Sequence, residues 1–299
     1  MDLYYEPITL ELEVPFRIAH GTSTARHNVV VRLADGGHEG WGEAAPVRQH
    51  HETQAGVVDY LAGVSLPDDP FLIEEILAGL PPGSRAARAA IDVALHDLLG
   101  RKLGQPLYRL LGLNPASAPE TSFTIGLGPA EEVQARARAA AQRFNILKLK
   151  LDAGEAGGLA LVRAVRQVTG ARLVADANCA WTADQALRLL PALADLGLEW
   201  IEQPLAEEDL AGLERLHRAS PLPIFADEPV RSARDVARLA GLVDGVNVKV
   251  AKVGGLRQAL QAIAVARAHD LQVMLGCMVE TSLGITAAAH LSPLVDWAD

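Results

Sequence analysis

From about Thr121 onward the chain repeats one unit, a short apolar strand, a loop and an Ala/Leu/Arg-rich amphipathic helix. Strands are expected near 121–126, 146–151, 173–178, 199–202, 223–227, 245–250, 272–277 and 294–298, at steps of roughly 22 to 27 residues. Such an array closes into a parallel barrel or spreads as a doubly wound sheet, and a count of eight favours the barrel. The eighth strand ends where the sequence ends, so the helix that would follow is missing and a truncated C-terminus is expected.

The first 120 residues follow another pattern. Residues 3–14, 28–34 and 38–44 run or alternate apolar, and Ala34-Asp35-Gly36-Gly37 suits a hairpin turn, which predicts a small antiparallel sheet. Between its first two strands, Pro15–His27 is rich in Gly, Ser and Thr and carries Arg17, His20, Arg26 and His27. This stretch reads as a loop, either a solvated turn or a lid. The clearest helix follows Pro81-Pro82-Gly83, with Ser84 as N-cap and Ala87, Ala90, Ile91, Ala94, Leu95 and Leu98 on one face. Within it, His96 and Asp97 read as the polar edge of a packed helix rather than as catalysts.

A chain of 299 residues with 49% hydrophobic content can bury the cores of two domains. Its formal charge of -10 argues against nucleic acid or an anionic membrane as the main partner. The two cysteines, Cys179 and Cys277, are too few for a disulfide framework and lack zinc-site spacing. With no signal peptide and no uninterrupted apolar run of about 18 residues, a cytoplasmic protein is expected.

The polar residues inside the barrel strands point to chemistry. In Ile146–Leu151 the period of two places Lys148 and Lys150 on one face, turned into the barrel because the leucines meet the helices. The next three strands end in Asp176, Glu202 and Asp227, spaced 26 and 25 residues apart, one barrel unit each. Carboxylates on neighbouring strand ends repel, and the natural compensation is a divalent cation with oxygen ligands, of which Mg2+ is the hard octahedral example. In the sixth strand Asn247 and Lys249 face inward between valines, so lysine-bearing strands flank the acidic ones. Lys252 lies one turn further out, as a supporting group or an anion contact rather than a base.

These groups suit removal of a proton α to a carboxylate. A cation chelating that carboxylate stabilises the enediolate charge, and a lysine acts as base once a second ammonium lowers its pKa, here Lys148 beside Lys150. With a lysine on each face, one removes the proton and the other returns it opposite, so racemisation or epimerisation follows.

The motifs GWGEA (40–44), AAIDVALHDLLGRKLGQPLYRLLG, the KLK pair, DAN at Asp176, EQP at Glu202, DEP at Asp227, NVK followed by KVGG, and GCMVETSLGITAAAHL (276–291) together resemble the enolase superfamily, in its muconate-lactonizing-enzyme subgroup. The resemblance covers nearly the whole chain. It implies a modified TIM barrel, (β/α)7β, over 121–299, with an N-terminal α+β capping domain over 1–120 whose segment near 15–27 closes over substrate. It also implies Lys150 and Lys249 as the acid/base pair and Asp176, Glu202 and Asp227 as Mg2+ ligands. The last motif, with Asp299, is similar to the dipeptide epimerase branch, where an Asp at the end of the eighth strand binds the substrate ammonium; locally, Asp299 reads equally well as an ordinary terminal residue.

The resemblance therefore implies Mg2+-dependent epimerisation of L-dipeptides, with His20, Thr22, Thr124, Asn178, Lys252, Met278, Glu280 and Asp299 around the substrate. In Ala-Glu epimerases a capping-loop arginine holds the glutamate side chain, and here His20-Gly21 stands at that place, which leaves a different second residue open. N-succinylamino acid racemisation, o-succinylbenzoate synthesis and muconate cycloisomerisation would use the same site. A catalytically silent binding barrel is the reading from another class. The partner is a small molecule, and members of the family often assemble, which leaves a homo-oligomer open.

Overall fold

A computed structural model of the chain describes residues 1–299 apart from His20, Arg48 and Gln49. Its N-terminal part is an antiparallel sheet of β1 (Asp2–Ile18), β2 (Gly21–Asp35) and β3 (His38–Ala44), in that order. Three helices follow, α1 (Gln54–Ala62), α2 (Ile73–Gly79) and α3 (Arg85–Leu103).

The expected loop at Pro15–His27 is instead mostly strand. β1 and β2 form one long ribbon that pairs Asp2 with Ala34 at its base and Ile18 with Gly21 at its tip. The register shifts between Glu11 and Phe16, and this irregularity breaks the period of two that sequence reading follows. Thr22, Ser23 and Thr24 then continue the strand, as β-branched and small polar residues do on an exposed ribbon.

Ser84 caps α3 as expected, its side chain accepting from the Ala87 N–H, and Gly104 closes the helix in the left-handed conformation. Ala87, Ala90, Ile91, Ala94, Leu95 and Leu98 are all buried with Val29, Val31 and Leu33 of β2. The small residues of GWGEA explain how β3 fits against this helix. A Cβ on Gly40 would stand 2.1 Å from the Ala94 carbonyl oxygen, and one on Gly42 2.0 Å from that of Ala90. Only glycine permits this backbone-to-backbone approach.

The repeat forms an eight-stranded parallel sheet: β4 (Ser122–Ile125), β5 (Ile146–Lys150), β6 (Arg172–Asp176), β7 (Leu198–Glu202), β8 (Ile224–Ala226), β9 (Gly245–Lys249), β10 (Gln272–Gly276) and β11 (Trp297–Ala298). A parallel bridge between Thr121 and Ala298 joins the first strand to the last, so the sheet closes as a barrel. Leu147, Leu149, Leu173, Ala175, Ile201, Val246 and Val248 face outward into the helix layer. Ile146, Val174, Trp200, Phe225 and Met274 form a separate apolar cluster inside the barrel. Among the described residues no helix is long and apolar enough to cross a membrane.

Candidate active site

Alternation along each strand brings polar side chains into the barrel beside that apolar cluster. Ladder pairing sets Lys150 beside Asp176 and Asp176 beside Glu202, so the expected neighbours are neighbours. One oxygen from each of Asp176, Glu202 and Asp227 falls within a group whose atoms all lie within 4.8 Å of one another, and the three residues are 0, 0 and 3% exposed.

Every lysine of the site rests on one of these carboxylates. Lys150 Nζ donates to Asp176 Oδ2 at 2.6 Å, Lys249 Nζ to Asp227 Oδ2 at 2.6 Å, and Lys148 Nζ lies 2.6 Å from Glu202 Oε2. Lys252 Nζ donates to Asp227 Oδ1 at 2.5 Å and to the Asp227 and Asn247 carbonyls. It thereby ties the acidic strand end to the segment after β9. Asn247 Nδ2 steadies Glu202 by donating to Oε1 at 2.7 Å.

The backbone is strained where the acidic strands end. Asn178, Cys179 and Gln203 have positive φ, of 44, 62 and 35°. Asn178 tolerates this because its own N–H reaches Asp176 Oδ1 at 2.7 Å and its side chain reaches Oδ2 at 3.1 Å. Gln203 Oε1 accepts the Asp227 N–H at 3.0 Å, tying one strand end to the next.

Burial and crowding set the electrostatics. Burial, with Asp176 and Asp227 close by, pushes Glu202 up to about 7 despite Lys148. Burial and the same two carboxylates push Glu228, beside Asp227, up to about 8. Burial alone would also raise Asp227, but Lys249 and Lys252 hold it well below the usual carboxylate range. For Lys148, burial is outweighed by Asp299, Glu202 and Asp176, which raise it. Lys249 is raised likewise, chiefly by Asp227 against the effect of burial. Lys148 therefore stands beside Lys150 as half of an ion pair with Glu202 and Asp299, not as the bare like charge expected to activate it.

The donor set fits a hard divalent cation. All three groups are buried carboxylates, and burial together with the crowding of like charges raises Glu202 among them and Glu228 beside them. Glu202 Oε2 has no hydrogen bond, since Lys148 approaches it outside hydrogen-bonding geometry.

Over this cluster lies a cavity of about 610 Å³. Lys148, Lys150, Lys249, Lys252, Thr124, Asn178, Met278 and Asp299 line it from the barrel. Phe16, Ile18, Thr22 and Arg26 line it from the ribbon. At the ribbon tip the Leu127 N–H donates to the Arg17 carbonyl at 2.9 Å, which docks the cap on the barrel mouth. His20, expected at the substrate, lies outside the described residues.

Asp299 is a built-in member of the site rather than a frayed end. Its Oδ1 accepts from Ser122 Oγ at 2.5 Å and Thr124 Oγ1 at 2.7 Å, and its Oδ2 from Lys148 Nζ at 3.0 Å. Against the effect of burial, Lys148 and the two hydroxyls hold it at about 2. Glu280 is placed otherwise than expected: it does not line the cavity, and its Oε2 turns back to accept the Met278 N–H at 2.9 Å. Burial pushes it up to about 7. Sequence reading passed over Glu228 and Cys277, which also line the cavity, although Glu228 directly follows Asp227 in DEP.

A capped parallel barrel with three carboxylates clustered at its strand ends between two lysines defines a barrel enzyme of the enolase type. The family description "Mandelate racemase / muconate lactonizing enzyme, N-terminal domain" matches residues 4–112, and "Enolase C-terminal domain-like" matches 131–296. An L-Ala-D/L-Glu epimerase of Bacteroides thetaiotaomicron is 39% identical over all of this chain and 79% of its own length. The crystal structure of a dipeptide epimerase from Enterococcus faecalis V583, complexed with Mg and L-Leu-L-Tyr, superposes with a TM-score of 0.94 at 34% identity, over 99% of this chain and 88% of that one. A substrate-liganded L-Ala-D/L-Glu epimerase from Bacillus subtilis gives 0.94 at 32% identity, over 100% and 89%. The chain belongs to the mandelate racemase/muconate lactonizing enzyme family of the enolase superfamily, and it is an isomerase of the racemase and epimerase type.

Proposed function

We propose that the protein is a cytoplasmic, Mg2+-dependent dipeptide epimerase, with a capping domain over 1–120, its ribbon tip acting as lid, and a catalytic barrel over 121–299. The observation that carries this reading is the flanking of the three clustered carboxylates by Lys150 from β5 and Lys249 from β9. Asp176, Glu202 and Asp227 would hold the ion, which supplies stabilisation of the negative charge that gathers on the substrate carboxylate as the α-proton leaves. Lys150 and Lys249 remove the proton from one face and return one to the other, their order set by the diastereomer bound. Lys252 and Asn247 keep Asp227 and Glu202 in place meanwhile. Asp299 receives the substrate ammonium, and Phe16 and Ile18 of the ribbon keep water from the reacting carbon.

The reading is supported by relatives named L-Ala-D/L-Glu epimerase, L-Ala-D/L-amino acid epimerase and hydrophobic dipeptide epimerase along the full chain. N-succinylamino acid racemisation is the second reading, favoured by Arg26 in the cavity wall, where a succinyl carboxylate would find a cation. Incubation in deuterated water with Mg2+ and a broad dipeptide library should place deuterium at the α-carbon with inversion. N-succinylamino acids form the second arm. Exchange in that arm alone would replace the first reading by the second, and exchange in neither would sink both.

A further inference from the structure

Glu43 lies at the end of β3 in the capping domain and is 2% exposed, yet its hydrogen bonds reach into the barrel. Its carboxylate accepts the Thr281 N–H at 3.1 and 3.0 Å, the Thr281 hydroxyl at 2.6 Å and the Gly284 N–H at 3.2 Å. These donors open the helix Ser282–Ala289, which follows β10 and already has Thr281 as its own N-cap. Glu43 is thus a second acceptor, supplied by the other domain from 238 residues away. Asn28 of β2 fixes it in turn, donating to Glu43 Oε1 at 2.7 Å and to the Val279 carbonyl at 3.0 Å.

The segment held this way is part of the substrate cavity, since Cys277, Met278 and Val279 line it. The base of the contact is rigid, because Gly40 and Gly42 press β3 onto the backbone of α3. On the other side of α3, Asp92 repeats the arrangement. It is fully buried, and its Oδ2 accepts the Arg257 N–H at 3.0 Å, at the start of the helix Leu256–Ala268 that follows Lys249 and Lys252. At Gly255, with φ of +131°, a Cβ would stand 2.2 Å from that same oxygen.

We propose that Glu43, oriented by Asn28, is a positioning residue for the reaction: it latches the β10 loop to the capping domain and so fixes the cavity wall at Cys277–Val279. Asp92 is the parallel anchor for the β9 loop. Charge-assisted hydrogen bonds to backbone donors at a helix N-terminus are stronger than neutral ones and suited to holding a loop. Nothing in the latch touches Asp176, Glu202 or Asp227, so the wall and the cation cluster are separately adjustable.

The test compares Glu43→Gln, Thr281→Val and the double variant with the wild-type chain. Glu43→Gln keeps shape while replacing one acceptor by a donor, and amide exchange at Thr281 and Gly284 should speed up at least about tenfold while β6, β7 and β8 keep wild-type protection. Affinity for Mg2+ alone should stay within about twofold, and KM for the best dipeptide substrate should rise about tenfold with kcat changed less than about threefold. Thr281→Val removes only the hydroxyl contact of the same latch, so it should raise KM less and add nothing to Glu43→Gln. Unchanged exchange at Thr281 and Gly284 would overturn the latch, as would loss of protection throughout the barrel together with Mg2+ binding. Should Glu43→Gln fail to fold, Thr281→Val decides alone, and wild-type exchange and KM in it overturn the proposal. The kinetic arm rests on the epimerase reading; if the wild-type chain turns over no dipeptide, that reading fails and the exchange pattern still decides the latch.

Discussion

Lys249 Nζ stands 2.6 Å from Asp227 Oδ2, so a lysine assigned to move a proton leans on a carboxylate assigned to hold a metal. Lys150 makes the same contact with Asp176. A bound cation would therefore take over charge that the lysines now neutralise, which would link metal binding to base action. Chelator-treated protein should show no α-proton exchange, and Mg2+ should restore it. Binding to the folded state alone adds about 2.7 kcal/mol when Mg2+ is present at about 100 times its Kd, which a melting curve reads as a rise of several degrees. A melting temperature indifferent to Mg2+ would count against the carboxylate cluster as its site.

On the proposed reading the two lysines divide by face. In Lys150→Met or Lys249→Met, epimerisation should fall by at least about a thousandfold, since one of the two proton transfers is lost, while Mg2+ still binds. Each variant should still exchange the α-proton of one diastereomer, the one whose proton faces the surviving lysine, and the two variants should prefer opposite diastereomers. Proton magnetic resonance in deuterated water reads both outcomes. Equal loss of exchange for both diastereomers in both variants would refute the division of labour.

The barrel and its acidic strand ends were legible because a period of two and a step near 25 residues are local patterns, as Lys148-Leu149-Lys150 and the Asp176, Glu202, Asp227 series demonstrate. The ribbon at 15–27 was hidden by the register shift after Glu11, which destroys alternation while pairing continues. Pairing of Lys148 with Glu202 and Asp299, and of Glu43 with Thr281, joins residues 54 to 238 positions apart, and no local pattern encodes it. His96 read with Asp97 as the polar edge of a packed helix; it is buried, with Nδ1 3.0 Å from Asp92 Oδ1.

That pair makes stability depend on pH. Burial acts to lower the His96 pKa, but the hydrogen bond and charge of Asp92 outweigh it and leave it raised above its ordinary value. A group raised in the folded state stabilises fully below its unfolded pKa of about 6.5 and loses that contribution as pH climbs through the folded value. His96→Asn should therefore cost more stability at pH about 5.5 than at pH about 8.5, by up to roughly 1.5–3 kcal/mol for a charge-assisted hydrogen bond. Urea midpoints of both proteins at the two pH values measure this, and equal losses would contradict the assigned sign.

The close approach of β3 to α3 predicts a costly alanine. At Gly42 a methyl group would meet the Ala90 carbonyl oxygen at 2.0 Å, and backbone atoms on both sides leave nothing that can rotate away. Gly42→Ala should destabilise by about 3 kcal/mol or more, the upper end for overpacking. Because Glu43 is the next residue, the variant should also loosen the Thr281 and Gly284 amides in hydrogen exchange. A loss below about 1 kcal/mol in urea denaturation would mean that the strand moves off the helix freely.

Asp299 offers a test of what the site binds. Its carboxylate is held at about 2 by Lys148, Ser122 and Thr124 in spite of burial, so it carries its charge at any pH near neutrality. Being lowered in the folded state, it stabilises the fold above its unfolded value of about 3.9 and loses this only as pH falls toward 2. Asp299→Asn keeps the size and removes the charge that would face a substrate ammonium. KM for a dipeptide with a free amino group should then rise at least about tenfold, equally at pH about 6 and about 8, as expected for a lost charge-assisted contact. The same peptide bearing an N-acyl cap has no ammonium to lose, so Asp299→Asn should leave whatever turnover the wild-type chain shows with it unchanged. An equal penalty on both substrates would instead assign Asp299 to the orientation of Lys148, whose Nζ it holds at 3.0 Å.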